Sequence, residues 1–364
     1  MKTSASLSLP GIVAVGLLAG CSGLGSSSSA LPGVGSQATH AHGLQPVPLG
    51  VVPSWAHPVG IARLRLNDRI APAKAKGYIY ASEFEGDQVF GYPNPNSNNG
   101  PATCRLGTSS NYLDDINGFG TDSVGDTMIP ALTPNDSGKG SINVFAPGCG
   151  ALAWQAEVNV PDAAATNSKS AVTGSVLVAE QSGFGNFGGA GGAVICSAKS
   201  GCGTPLTNSD LKGYAVGVAM AKNGDCWISG ATNMESGFVL VYFSGCTGSG
   251  VVATGTSNKS YGGLFIDTKG NLGSVDGDYG KLYVYSGCNP ACTLVSTSTL
   301  HGYSLYGTLD KKGENLALGD YGNGTVDVYS YSPTSGATYS YSFDNGLTEG
   351  DYVEAAAFAP SNKI

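Results

Sequence analysis

Carboxylates and tyrosines recur beside glycine in this sequence of 364 residues, most densely at Asp276-Gly277-Asp278-Tyr279-Gly280 and Gly319-Asp320-Tyr321-Gly322. Alternating Asp and Gly is how calcium loops bring oxygens to a hard cation, but an EF-hand needs further oxygen ligands in order and a closing Glu, which the stretch after Asp276 lacks. The second copy favours a repeated turn, and Ca2+ or another divalent cation stays the sharper alternative. Of four histidines, His40, His42 and His57 lie early and only His301 falls among the later repeats. Beside Gly302 it reads as a loop residue, with general-base chemistry as its functional alternative. GxSxG, Walker-A and HExxH patterns are absent.

Nine cysteines are present, eight of them after Cys21. Cys288-x3-Cys292 and Cys196-x5-Cys202 are close enough to pair locally, and the even number reads as a disulfide set in an exported protein. Zinc would need neighbouring His or a second CxxC, which neither cluster has. The expected pairs are Cys288 with Cys292, Cys196 with Cys202, Cys226 with Cys246, and Cys104 with Cys149.

The elements that must hold these residues are strands. Only 12% of residues are charged, while 56 are Gly, 18 are Tyr and 41% are hydrophobic. That balance suits an all-β protein with many tight turns. The formal charge of −8 excludes a phosphate-backbone binder, so no nucleic-acid partner is expected. Three copies stand out: YAVGVAMAKNGDCWISGATNMESGFVLVYFSGC from 214 to 246, YGGLFIDTKGNLGSVDGDYGKLYVYSGC from 261 to 288, and LYGTLDKKGENLALGDYGNGTVDVYSYS from 305 to 332. Each gives a strand, a Gly-Asn/Asp type turn, a second strand, a polar loop and a third strand. Turns at Gly77, Gly125, Gly174, Gly224, Gly270 and Gly313 are 48, 49, 50, 46 and 43 residues apart. A period in this range with four strands per unit is a propeller signature. Tyr352 to Asn362 reads as the first strand of a further copy, whereas the earliest copy begins at Gly77 with a second strand. The two fragments are expected to complete one blade. The separation of 285 positions between Gly77 and Asn362 then divides into six.

The copies at 214, 261 and 305, with their Gly-Asn/Asp-hydrophobic turn and closing Val-Tyr, resemble NHL and YncE-like propeller repeats. At the other end, Lys2, the apolar Gly11 to Leu18 and Leu18-Ala19-Gly20-Cys21 resemble a bacterial lipoprotein signal. That resemblance implies acylation of Cys21, cleavage before it and, with Ser22 next, outer-membrane or cell-surface placement. The expected organisation is a signal at 1–20, a flexible Ser/Gly tether at 21–41, a Pro-rich lead-in at 42–73 and a six-bladed all-β propeller at 74–364, closed by its C-terminal strand. A monomer is expected.

In such a fold the loops from second to third strands and the starts of innermost strands share a face. The repeat places Glu83, Glu85, Asp87, Glu180, Glu235, Asp276, Asp278 and Asp320 in those loops. Asp115, Asn117, Tyr214, Tyr261, Tyr303, Tyr352 and Glu354 fall at the strand starts. The reading is a membrane-anchored recognition or scaffold module binding a protein, peptide or glycan partner on this acidic, tyrosine-rich face. The alternative, implied by resemblance to calcium-dependent lactonase propellers, is a divalent-metal hydrolase or lyase at the central channel, using Glu354, Asn117 and Asn167.

Overall fold

In the computed structural model the described residues are 77–83, 88–93, 101–106, 113, 116–132, 139–181, 191–211, 215–231, 237–344, 347 and 352–362. The signal, the tether and the lead-in, with Cys21, lie outside them, as do Glu85, Asp87, Asp115, Tyr214 and Glu235.

The fold is all-β, in sheets built from consecutive segments. The first holds β1 (Tyr78–Glu83), β2 (Gln88–Pro93) and β3 (Cys104–Leu106); the second β4 (Gly120–Thr121), β5 (Thr127–Leu132), β6 (Lys139–Phe145) and β7 (Leu152–Asn159). The third holds β8 (Pro161–Ala165), β9 (Ser175–Glu180) and β10 (Gly192–Ser197), with β11 (Gly201–Cys202) and β12 (Leu206–Thr207) both on β10. Next come β13 (Ala215–Met220), β14 (Cys226–Gly230), β15 (Val239–Phe243) and β16 (Val251–Val252). The fifth has β17 (Leu264–Ile266), β18 (Leu272–Asp276), β19 (Lys281–Ser286) and β20 (Thr293–Thr299). Then follow β21 (Ser304–Leu309), β22 (Asn315–Asp320), β23 (Thr325–Ser332) and β24 (Gly336–Phe343). The last strand, β25 (Val353–Ala359), pairs antiparallel with β1 and meets β21 in parallel. The hydrogen-bonded order is therefore β24-β23-β22-β21-β25-β1-β2-β3, with β25 heading the run β25-β1-β2-β3.

Burial falls from first strand to fourth within a sheet. All of β13 and β25 is buried; β13 is Ala, Gly or Val at five of its six positions, and β25 carries four Ala. By contrast β20, TLVSTST, is mostly solvent-facing. Small residues on the first strands let neighbouring backbones converge: a Cβ at Gly217 would sit 2.3 Å from the Gly262 carbonyl oxygen. Successive sheets pack face to face through apolar layers. Val275, Leu282 and Val284 meet Leu309, Leu316 and Leu318 in one layer; Ile79, Phe90 and Tyr92 meet Val326, Val328 and Phe343 in another. The second of these joins the last sheet to the first.

Three of the first-to-second-strand turns follow one local rule. Asp122, Asp267 and Asp310 each turn a carboxylate onto backbone N–H groups two to four residues on, as in Asp267 Oδ1 with Lys269 N at 2.8 Å and Asn271 N at 2.9 Å. Gly125, Gly270 and Gly313 complete these turns with φ of 100°, 81° and 72°, where a side chain would be strained. A second device joins sheets: the Tyr285 hydroxyl accepts from Ser257 N at 2.7 Å, and the Tyr329 hydroxyl from His301 N at 2.9 Å. Both span 28 residues.

The cysteines bond as Cys104–Cys149, Cys196–Cys202, Cys226–Cys246 and Cys288–Cys292. Cys288 lines a surface hollow with Asn223, Asp225, Lys269 and Gly270 of the first-to-second-strand turns. This bridge thus lies at the end of the sheets opposite the loops that carry Asp278 and Tyr303.

Candidate functional site

At the loop end, aromatic rings face solvent and carboxylates turn inward. Tyr303, Tyr279 and Tyr352 are 58%, 54% and 37% exposed there, and Tyr339, midway along β24, is 42% exposed. Tyr352 stacks on Tyr321 with centroids 4.0 Å apart, and Lys259 Nζ stands 5.2 Å over the Tyr279 ring. Among the acids mapped to this face, Glu83, Glu180, Asp276, Asp320 and Glu354 are buried, as are Asn117 and Tyr261. Among the described ones Asp278 alone is partly open, and burial together with the neighbouring Asp276 pushes its carboxyl up to about 6. The reason for the inward turn is backbone satisfaction. Asp276 accepts from Lys259 N at 2.8 Å, Ser260 N at 3.2 Å and Ser260 Oγ at 2.5 Å, and Asp320 from Gly322 N at 3.0 Å and Asn323 Nδ2 at 2.7 Å. These acids hold the loops that present the tyrosines.

Between the first strands lies a polar cluster that the sequence reading did not name. Tyr306 of β21 donates to Asp162 Oδ1 of β8 at 2.5 Å, and Gln181 Nε2 donates to Asp162 Oδ2. Gly118 N bonds the Asp162 carbonyl at 2.8 Å, and Gly118 has no Cβ because the Tyr306 ring occupies that space. Burial, opposed by the Tyr306 and Gln181 hydrogen bonds, pushes the Asp162 carboxyl up to about 7. Burial also takes Glu180 up to about 7. Asn117, next to Gly118, is buried with neither its Nδ2 nor its Oδ1 hydrogen-bonded. Aligning the third unit with its neighbours would have pointed to Asp162, since it opens a first strand as Glu354 does.

Below Tyr306 the space between the strands is small. A cavity of about 60 Å³ is lined by Met128, Ala164, Val218, Phe265 and Tyr306 on its walls and by Ser361 and Asn362. Ser361 Oγ bonds the Thr121 carbonyl at 2.8 Å, and Asn362 Nδ2 the Ile266 carbonyl at 2.9 Å, so the C-terminal residues tie the second and fifth sheets together across this end. Pockets that take organic ligands run from roughly 300 Å³. Asn167, named for a channel metal, bonds the Ala221 carbonyl at 3.1 Å. It follows the end of β8, whereas Glu354 opens β25, so the two stand at opposite ends of their strands.

His301 is half-exposed in the segment between β20 and β21 and stacks on Tyr339 with centroids 4.4 Å apart. Its Nδ1 is 3.4 Å from Asp327 Oδ2 and 4.0 Å from Asp320 Oδ2, with both carboxylates buried. Burial, then the neighbouring Asp320 charge, push the Asp327 carboxyl up. Asp327 was absent from the sequence reading. Its signal was a departure from the repeat, since the preceding copy has Tyr283 at that place.

No known protein family matches the sequence, and no curated protein is similar to it. Among solved structures, the chain is similar to a chain in a crystal structure of a nidogen/laminin complex, with 11% identity and a TM-score of 0.54, over 79% of this chain and 99% of that one. A functionally unknown protein from Desulfotomaculum acetoxidans DSM 771 aligns with 13% identity and a TM-score of 0.46, over 74% of this chain and 80% of that one. The first likeness supports a β-propeller fold and, at such identity, the fold alone.

Proposed function

We propose that the protein is a lipid-anchored recognition module of the cell envelope, held through Cys21, that presents its tyrosine-bearing loop face to a protein, peptide or glycan partner. Its body is read as a six-bladed, NHL or YncE-like propeller in which β25 supplies the innermost strand of the first blade. The order β25-β1-β2-β3 and the apolar layer between the last sheet and the first support that closure.

One observation carries the functional reading: three tyrosines more than a third exposed, Tyr279, Tyr303 and Tyr352, fall in a second-to-third-strand loop or just before a first strand, at one end of the sheets. Amphipathic rings fixed by buried carboxylates offer contact area at little entropic cost, which is why Tyr is enriched in binding surfaces. The small cavity below Tyr306 favours surface recognition over turnover of a substrate in the channel. The test is a thermal-shift screen of residues 42–364 against peptides and glycans, followed by Tyr303→Ala and Tyr352→Ala. Both substitutions should abolish the shift without moving the midpoint of the unliganded protein. A ligand whose binding survives both would place recognition elsewhere.

A further inference from the structure

We propose that His301, Asp320 and Asp327 form a binding site for one first-row divalent transition metal ion, of which Zn2+ is the probe. This site lies off the central axis and is independent of the recognition reading.

The geometry has three parts. One ligand atom from each of His301, Asp320 and Asp327 lies within 4.8 Å of the others. In a tetrahedral site with bonds of about 2.0 Å, ligand atoms sit roughly 3.3 Å apart. The Nδ1–Asp327 distance of 3.4 Å already fits, and the Nδ1–Asp320 distance of 4.0 Å closes with a small tilt of a half-exposed ring. Imidazole with two carboxylates suits zinc or manganese better than calcium, which takes oxygen alone.

The carboxylates are oriented from behind. Asp327 Oδ1 accepts from Ser342 Oγ at 2.6 Å and Thr325 Oγ1 at 3.2 Å, while Tyr329 donates to Oδ2 at 3.0 Å. Asp320 Oδ1 takes Gly322 N and Asn323 N, and its Oδ2 takes Asn323 Nδ2 at 2.7 Å. Each carboxylate thus keeps an Oδ2 lone pair toward the imidazole, the outer support that metal ligands need. Gly302 lets the segment close on the site, because a Cβ there would stand 2.0 Å from Asp320 Oδ2.

A comparison within the chain separates scaffold from site. The Tyr285–Ser257 and Tyr329–His301 hydrogen bonds superimpose the fifth and sixth sheets residue by residue. By that alignment Asp320 has a counterpart in Asp276, but His301 replaces Ser257 and Asp327 replaces Tyr283. Neither replacement is needed to build the sheet. Together they put a second fully buried carboxylate beside the first, and among the described residues no lysine or arginine pairs with either. Two adjacent buried carboxylates are relieved by a cation or by a proton held on one of them, and a divalent ion at this place would offset both charges at once.

The experiment uses the full-length protein in detergent, stripped with EDTA and titrated with Zn2+ by calorimetry, with Co2+ absorption as a second readout. One Zn2+ per chain is expected, with a visible Co2+ band and a raised unfolding midpoint. His301→Gln and Asp327→Asn should each weaken Zn2+ at least tenfold and remove the band. His301 is half-exposed, so its variant reports even if Asp327→Asn fails to fold. Zn2+ bound equally by His301→Gln would assign it to His40, His42 or His57 and overturn the site, as would no binding at all. No partner is needed, so this outcome stands apart from the tyrosine test.

Discussion

Replacing Tyr306 by Phe removes one oxygen atom from the middle of the molecule and tests the link between β8 and β21. The lost hydroxyl donates to Asp162 Oδ1 at 2.5 Å across 144 residues of chain. Asp162 is fully buried and its carboxyl is pushed up to about 7, so it is protonated at pH 5 and mostly ionised at pH 8. Tyr306 favours the ionised form, and its removal raises that carboxyl further. At pH 5 the variant loses a neutral hydrogen bond, about 1 kcal/mol; at pH 8 it loses one to a charge, about 2–3 kcal/mol. The destabilisation should therefore be greater at pH 8 by about 1–2 kcal/mol. Urea unfolding followed by fluorescence of the buried Trp154 and Trp227 measures both values. Equal losses at the two pH values, or a stabilised variant, would refute the reasoning.

The wild-type protein should itself lose stability as pH rises from about 4 to about 7, because Asp162, Glu180 and Asp122, each held near 7 mainly by burial, bind more protons folded than unfolded across that window. A carboxyl so raised contributes on the order of 3–4 kcal/mol, and urea midpoints at pH 5 and pH 8 give the sign. Deleting residues 352–364 strips the fully buried β25 from between β1 and β21 and should abolish cooperative unfolding; a midpoint only slightly lowered would count against closure by that strand. Replacing Cys226 and Cys246 by Ala opens a 20-residue separation and should cost about 3 kcal/mol in chemical denaturation. Cys21→Ser should move the folded protein from the membrane fraction to the soluble one on detergent-free lysis, since the substitution removes the residue proposed to be acylated while leaving residues 74–364 unchanged.

What could be read from the sequence was local. The glycine-centred turns, the strands between them and the short disulfides depend on residues a few positions apart, and a few positions is the range over which residue type dictates backbone geometry. Even Cys104–Cys149, 45 residues apart, was legible because both cysteines end up at corresponding strand ends one repeat apart. The site was legible only as a face. Polar residue types at Asp276, Asp320, Glu180 and Glu354 look alike whether water or backbone N–H groups fill their acceptors, and folding chose burial for all of them. The pairing of Tyr306 with Asp162, the seal by Ser361 and Asn362, and the meeting of His301 with Asp327 were decided by tertiary structure alone. Each contact joins segments that different sheets carry toward one point, so it depends on where whole sheets stand and not on spacing along the chain.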